Sequence, residues 1–161
     1  MNKKAWLDTL FYDIGRQNFD FKVSGMKKKE NGEIISSKWK KYSEICFKLN
    51  LDEDYKLRFI NQRQIFPNEV VIDLEEKTRI KKVVSEIKKY CEQFYIFETG
   101  SRGYHIHIFF KKELTEKQKL KIIRKFGGDE QLASPKHMIN LEWAEHWKSG
   151  KIKKEVKEDE L

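Results

Sequence analysis

Two cysteines, Cys46 and Cys91, stand far apart and form no CxxC pair. That excludes a zinc ribbon and a secreted disulfide framework, and a reducing cytoplasm is the expected compartment. Long hydrophobic runs are also missing. The opening "MNKKAWLDTLFYDIG" has the lysines of a signal peptide, but Asp8 and Asp13 interrupt its apolar residues, and no later segment approaches a membrane span. Neither export nor a membrane location is expected, and the final "EDEL" reads as a charged tail rather than a retention signal. There is no internal repeat, low-complexity stretch or interdomain linker. One domain over 1–161 is expected, with an N-terminal module over 1–66, a core over 67–147 and a basic then charged tail over 148–161.

Charge of both signs is abundant. The 161 residues hold 34 Lys plus Arg against 26 Asp plus Glu, a formal charge of +8. Such a surface favours a polyanionic partner by counterion release and steering, although lysine-rich surfaces also occur without any binding role.

Periodicity supplies the elements. Trp6, Leu7, Leu10, Phe11 and Ile14 recur at helical spacing before Gly15, and Asn31-Gly32 between alternating flanks signals a hairpin within an N-terminal module of strands and loops. Past Pro67, "EVVIDLE" is strand-like. In "KTRIKKVVSEIKKYCEQF" a stripe of Ile80, Val83, Val84, Ile87, Tyr90, Cys91 and Phe94 predicts a helix. "YIFE" and "GYHIHIFF" predict strands across a glycine turn, "TEKQKLKIIRKFGG" a helix capped by Thr115 and closed by Gly127-Gly128, and "HMINLEWA" a last strand. The order βαββαβ predicts an α+β fold: an RRM-like (ferredoxin-like) four-stranded antiparallel sheet with both helices on one face, beside the N-terminal α/β module.

Strand side chains alternate, so the other face of that sheet should carry Asp73 and Glu75, about 7 Å apart, with His105, His107 and Phe109, and with Asn140 and Glu142 from the last strand. Any one of these motifs alone reads as a solvated strand face. His-x-His could also offer two zinc ligands, but no third or fourth stands at sensible spacing. Their coincidence on one polar face points instead to a site where carboxylates hold divalent metal. Thr99, Ser101, Arg102 and Gly103 add hydroxyls, unobstructed amides and a guanidinium suited to phosphate.

"VIDLE", "TGSRGYHIHI" and "INLEWAEHWKSGK" resemble, in order and spacing, the three motifs of the archaeo-eukaryotic primase superfamily, over about residues 66 to 155. The resemblance implies a primase-polymerase-like catalytic core that performs template-directed nucleotidyl transfer with Mg²⁺ or Mn²⁺. It makes Asp73, Glu75 and Glu142 the metal-binding acids and His105 a triphosphate contact, assisted by Arg102, Thr99 and Ser101, with Gly103 and His107 in the same nucleotide-binding set and Lys148, Ser149 and Lys151 as further triphosphate or template contacts. The implied partners are nucleoside triphosphates and a DNA template, single-stranded or primed. The chain departs from the usual pattern with Glu75 and Glu142 in place of Asp, Thr99 in place of Ser, and no zinc knuckle. At this length it reads as a minimal version or as one subunit of a larger replication or repair assembly. The alternative is a non-catalytic RRM-like module or nucleotide-binding accessory subunit, binding single strands through exposed aromatics such as Phe109.

Overall fold

The computed structural model describes residues 1–16, 18–46, 59–91 and 93–161. Its N-terminal helix α1 (Lys3–Asp8) is capped by Asn2, runs on as a π-helical turn over Thr9–Ile14 and stops at Gly15, where the apolar spacing ends. The strands that follow are β1 (Lys22–Ser24), β2 (Met26–Lys28), β3 (Ile34–Ser36) and β4 (Lys40–Lys41). Strands β2 and β3 pair through the Asn31-Gly32 turn as a separate hairpin. A short helix α2 (Tyr42–Cys46) leads away; residues 47–58 and the side chain of Cys46 lie outside what is described.

Next come β5 (Gln62–Gln64), β6 (Glu69–Leu74), helix α3 (Ile80–Ile87), β7 (Phe94–Glu98) and β8 (Tyr104–Phe109). Helix α4 (Glu116–Phe126), β9 (Met138–Asn140) and β10 (Lys154–Glu155) complete the chain. In α4 the Thr115 hydroxyl accepts from the Gln118 amide while the Gln118 side chain reaches back to the Thr115 amide, a reciprocal cap. Helix α3 is shorter than its stripe predicts. It turns out after Ile87, leaving Tyr90 at 68% exposure, and Phe94 opens β7 instead. The chain needs that turn to reverse into a strand antiparallel to β8.

The strands form two antiparallel four-stranded sheets, in the orders β4-β1-β5-β9 and β10-β7-β8-β6. Three strands of the second sheet occupy the neighbours expected of a βαββαβ unit. The expected fourth, β9, does not join them: it leaves for the first sheet and pairs with β5, Arg63 opposite Ile139. The place beside β6 that β9 would fill stays an edge of the sheet among the described residues, and β10 adds at the opposite edge, beside β7.

Two cores follow from the alternation in β6 and β8. Val70, Ile72, Leu74, Ile106 and Ile108 meet Ile80, Val83, Val84, Ile87 and Ile123 of the helices. On the opposite face Phe97 and Phe109 meet Trp6, Leu10, Phe21, Val23 and Phe66, so the first sheet and α1 cover the surface that the sequence suggests is open. Among the described residues no helix is long and apolar enough to cross a membrane.

Candidate active site

The middle of the covered face holds a buried ionic cluster. Arg63 on β5 uses all five guanidinium N–H groups. Nε donates to Glu142 Oε2 at 2.7 Å, Nη1 to Glu69 Oε2 at 2.8 Å and to the Gln64 carbonyl at 3.1 Å, and Nη2 to Glu69 Oε1 at 2.7 Å and Glu142 Oε1 at 3.1 Å. Lys153 Nζ donates to Glu142 Oε1 at 2.9 Å and to the Asn140 carbonyl at 2.9 Å, and lies 3.1 Å from His107 Nε2. His107 Nδ1 sits 2.7 Å from Glu69 Oε1, and Trp6 Nε1 donates to Glu142 Oε2 at 2.9 Å. Two cations and two carboxylates balance with the imidazole neutral, protonated at Nδ1 and accepting from Lys153.

Electrostatics agree with that assignment. Burial pushes the His107 imidazole down to about 4, and Lys153 beside it acts in the same sense. Burial alone would raise the Glu69 carboxyl, but Arg63 outweighs it and holds the group at about 2. Glu142 is likewise held well below the usual carboxylate range by Arg63 and Lys153 against its burial. Because folded His107 titrates below its ordinary 6.5, the unfolded chain takes up the proton first. Stability is therefore full above about pH 6.5 and declines as pH falls toward 4, with Glu69 adding a further loss between 4.5 and 2. The urea midpoint should fall between pH 7 and 5, before surface carboxylates titrate; a flat midpoint there would exclude a buried neutral His107.

This cluster corrects two expectations. Glu142 is fully buried, with both oxygens committed to Arg63, Lys153 and Trp6, and it follows a strand of the other sheet, so it does not join Asp73 and Glu75 on an open surface. His107 is equally enclosed and not placed to touch a nucleotide. Among the described residues no three of His, Cys, Asp and Glu are grouped to hold one ion.

At the end of β6 the chain is accessible. Asp73 and the exposed Glu75 line a cleft of about 380 Å³ together with Glu76, Arg79 and Asp129, the last just beyond the Gly127-Gly128 end of α4. Four carboxylates against one guanidinium make this an acidic cleft in a basic protein. Directly across the ladder from Asp73 stands His105, with Nε2 at 3.5 Å from Asp73 Oδ2. His105 is 8% exposed, and its Nδ1 is buried without a hydrogen-bond partner. Burial lowers its pKa, with Lys153 assisting and Asp73 opposing, which keeps the ring neutral.

The glycine turn is seated against this strand end. Gly103 has φ +73, and a Cβ there would lie 1.8 Å from the Leu74 carbonyl oxygen; Gly100 has φ +75, and its Cβ would lie 2.7 Å from that of Lys151. Only glycine fits either place. Gly103→Ala should shift the turn and the start of β8, costing about 1–3 kcal/mol. It should also move the His105 imidazole resonances by NMR, and unchanged resonances with wild-type stability would contradict the packing.

Thr99 differs from expectation. It is 5% exposed, and its hydroxyl donates to the Arg102 carbonyl at 2.8 Å and accepts from the Ser101 amide at 3.3 Å, closing the turn instead of facing outward. Ser101 and Arg102 are exposed at the tip. Lys148, Ser149 and Lys151 are brought beside the turn, where Ser149 Oγ donates to the Gly100 carbonyl at 2.8 Å.

The site is thus split into two shells: Asp73, Glu75, His105 and the turn at the surface, and Glu142, His107, Arg63, Glu69 and Lys153 behind it. Arg63, Glu69, Lys153, Glu76 and Asp129 escape the sequence reading. Only Glu69 leaves a trace there, since the period-two count through Asp73 and Val71 reaches it on the same face.

The chain matches no protein-family description and no curated protein. Among solved structures it is similar to the crystal structure of primase RepB′, with a TM-score of 0.57 and 10% sequence identity over 94% of this chain and 56% of that one. The fold is primase-like. The chain spans little more than half the length of that primase.

Proposed function

We propose that this chain is a primase-type nucleotidyltransferase. It adds a nucleoside monophosphate from a nucleoside triphosphate to a 3′-hydroxyl on a DNA template and releases pyrophosphate. The observation that carries this reading is the junction at the end of β6. There a paired-acid strand end, a histidine opposite Asp73 and a glycine turn packed on Leu74 meet at an acidic cleft, within a primase-like fold.

Asp73 and Glu75 offer hard oxygen donors and suit Mg²⁺ or Mn²⁺, which take one or two carboxylates and complete their shells with water and substrate phosphate. Such ions stabilise charge on the attacking and leaving oxygens. The chain's own residues bind and position. The Gly103 region and Arg102 offer amides and a guanidinium to phosphate oxygens, and a neutral His105, with Nε2 3.5 Å from Asp73 Oδ2, orients that carboxylate without adding a second cation beside it. Glu142 acts one layer back: paired with Arg63 and Lys153, it lies 3.0 Å from His107 Nε2 and so braces the strand that presents His105.

The non-catalytic alternative relied on stacking against sheet aromatics, but Phe109 is 3% exposed beneath the N-terminal module. The deciding experiment incubates the chain with a primed DNA template, labelled triphosphates and Mn²⁺ or Mg²⁺, beside an Asp73→Ala control. Metal-dependent extension that the substitution removes supports the proposal; no incorporation with either metal rejects it.

A further inference from the structure

Away from the acidic cleft lies a larger groove of about 620 Å³, walled on one side by the β2–β3 hairpin and on the other by the 145–150 loop. Its floor is apolar, with Met26, Ile35 and Phe59; its far wall carries Trp147. The His146 and Trp147 rings are nearly parallel, 17° apart in plane. That loop is well braced. The His146 amide donates to the Lys151 carbonyl and the Gly150 amide to the His146 carbonyl, both at 2.8 Å, while His146 Nδ1 accepts from the amides of Lys148 at 3.2 Å and Ser149 at 3.3 Å. Trp147 is therefore a half-exposed aromatic on a fixed support.

Charge decides what such a groove fits. Lys27 and Lys28 line it, Lys148 and Lys151 flank it, all four are exposed, and none has a carboxylate partner among the described residues. The groove's carboxylate, Glu145, faces the Lys3 ammonium, which offsets it. Unpaired lysines bordering aromatic and aliphatic surface match a strand that presents phosphates along one side and bases along the other. A folded protein surface has no such regular anionic edge. The loop also has a second face: through Ser149 it is bonded to Gly100 of the glycine turn, so the groove ends beside the proposed triphosphate position.

We propose that this groove holds single-stranded DNA, with bases stacked on Trp147 and phosphates along Lys27 and Lys28. Identifying the bound strand as the template rests on the nucleotidyltransferase reading; the binding itself does not.

The test measures anisotropy of a short fluorescein-labelled oligodeoxythymidylate with the full chain at low salt. Trp147→Ala should weaken binding about tenfold, and the double replacement Lys27→Glu with Lys28→Glu by at least as much and with a shallower salt dependence. The same charge change at the exposed Lys111 and Lys112, outside the groove, should leave affinity within about twofold. Circular dichroism melts confirm that each variant folds. Equal weakening by the hairpin and control pairs, or no loss with Trp147→Ala, would overturn the groove. So would self-association of the chain abolished by Ile35→Lys, which would mark the groove as a contact between copies. Loss of binding in the groove variants together with an inactive wild-type chain would retain the groove and reject only the enzymatic reading.

Discussion

Asp73→Asn is expected to lower metal-dependent nucleotide incorporation by about 10³-fold or more, because the substitution keeps the side chain's shape and removes the charge that holds a divalent ion. Asp73 serves both halves of the junction: it lines the acidic cleft with Glu75, and its other neighbour is His105 Nε2. The loss should therefore appear in the rate of the chemical step and also in direct Mn²⁺ binding followed by electron paramagnetic resonance, which needs no turnover. The folded state should be little affected. Asp73 is part-exposed and sits among Glu75, Glu76 and Asp129, so neutralising it also relieves repulsion. A variant with normal Mn²⁺ affinity and near-normal incorporation would remove Asp73 from the site altogether.

The second large effect is on stability. Arg63→Met strips the guanidinium that pairs with both Glu69 and Glu142, leaving two fully buried carboxylates with the neutral His107 between them and Lys153 as the remaining cation of the cluster. Breaking a buried ion pair by removing one partner costs about 3–5 kcal/mol, and here the lost partner serves two acids. Urea unfolding should show the midpoint falling sharply with little change in slope. Removing Lys77, Lys88 or Arg124 from their exposed pairs should barely move the midpoint, because solvent screens these pairs. If Arg63→Met were no worse than those, the cluster would not be what binds the two sheets.

Much of the local order was legible because it is written in short-range terms. The Thr115 cap, the Asn31-Gly32 hairpin and the strand period through Asp73 and His105 each depend on residues a few positions apart, and the structure shows each of them. What failed was long-range. Nothing near "HMINLEWA" tells that its strand will pair with Gln62–Gln64 instead of β6, and the placement of Glu142 follows from that choice. Counting alternation put Glu142 on an outward face of a sheet it does not belong to. His107 is enclosed for a related reason: strand alternation sets which face it occupies, but that face is open or closed according to what packs on it, and α1 with the first sheet packs there. Arg63 could not be found at all, since a single arginine in "NQRQIF" carries no periodic signature and acquires its meaning only from two acids 6 and 79 positions away.

The exchange by which β9 leaves its own unit for β5 also determines how the protein can be dissected. The hydrogen bond between Gln62 and Asn140 closes a span of 78 positions, and Lys153 reaches back from still further along to fasten the same region. A fragment starting at Pro67 would carry an orphan ladder edge and a Glu142 stripped of its guanidinium, and one ending there would lack the outermost strand of its sheet. Neither piece should mature alone. Renaturation should proceed as a single slow event that waits on the two distant stretches meeting.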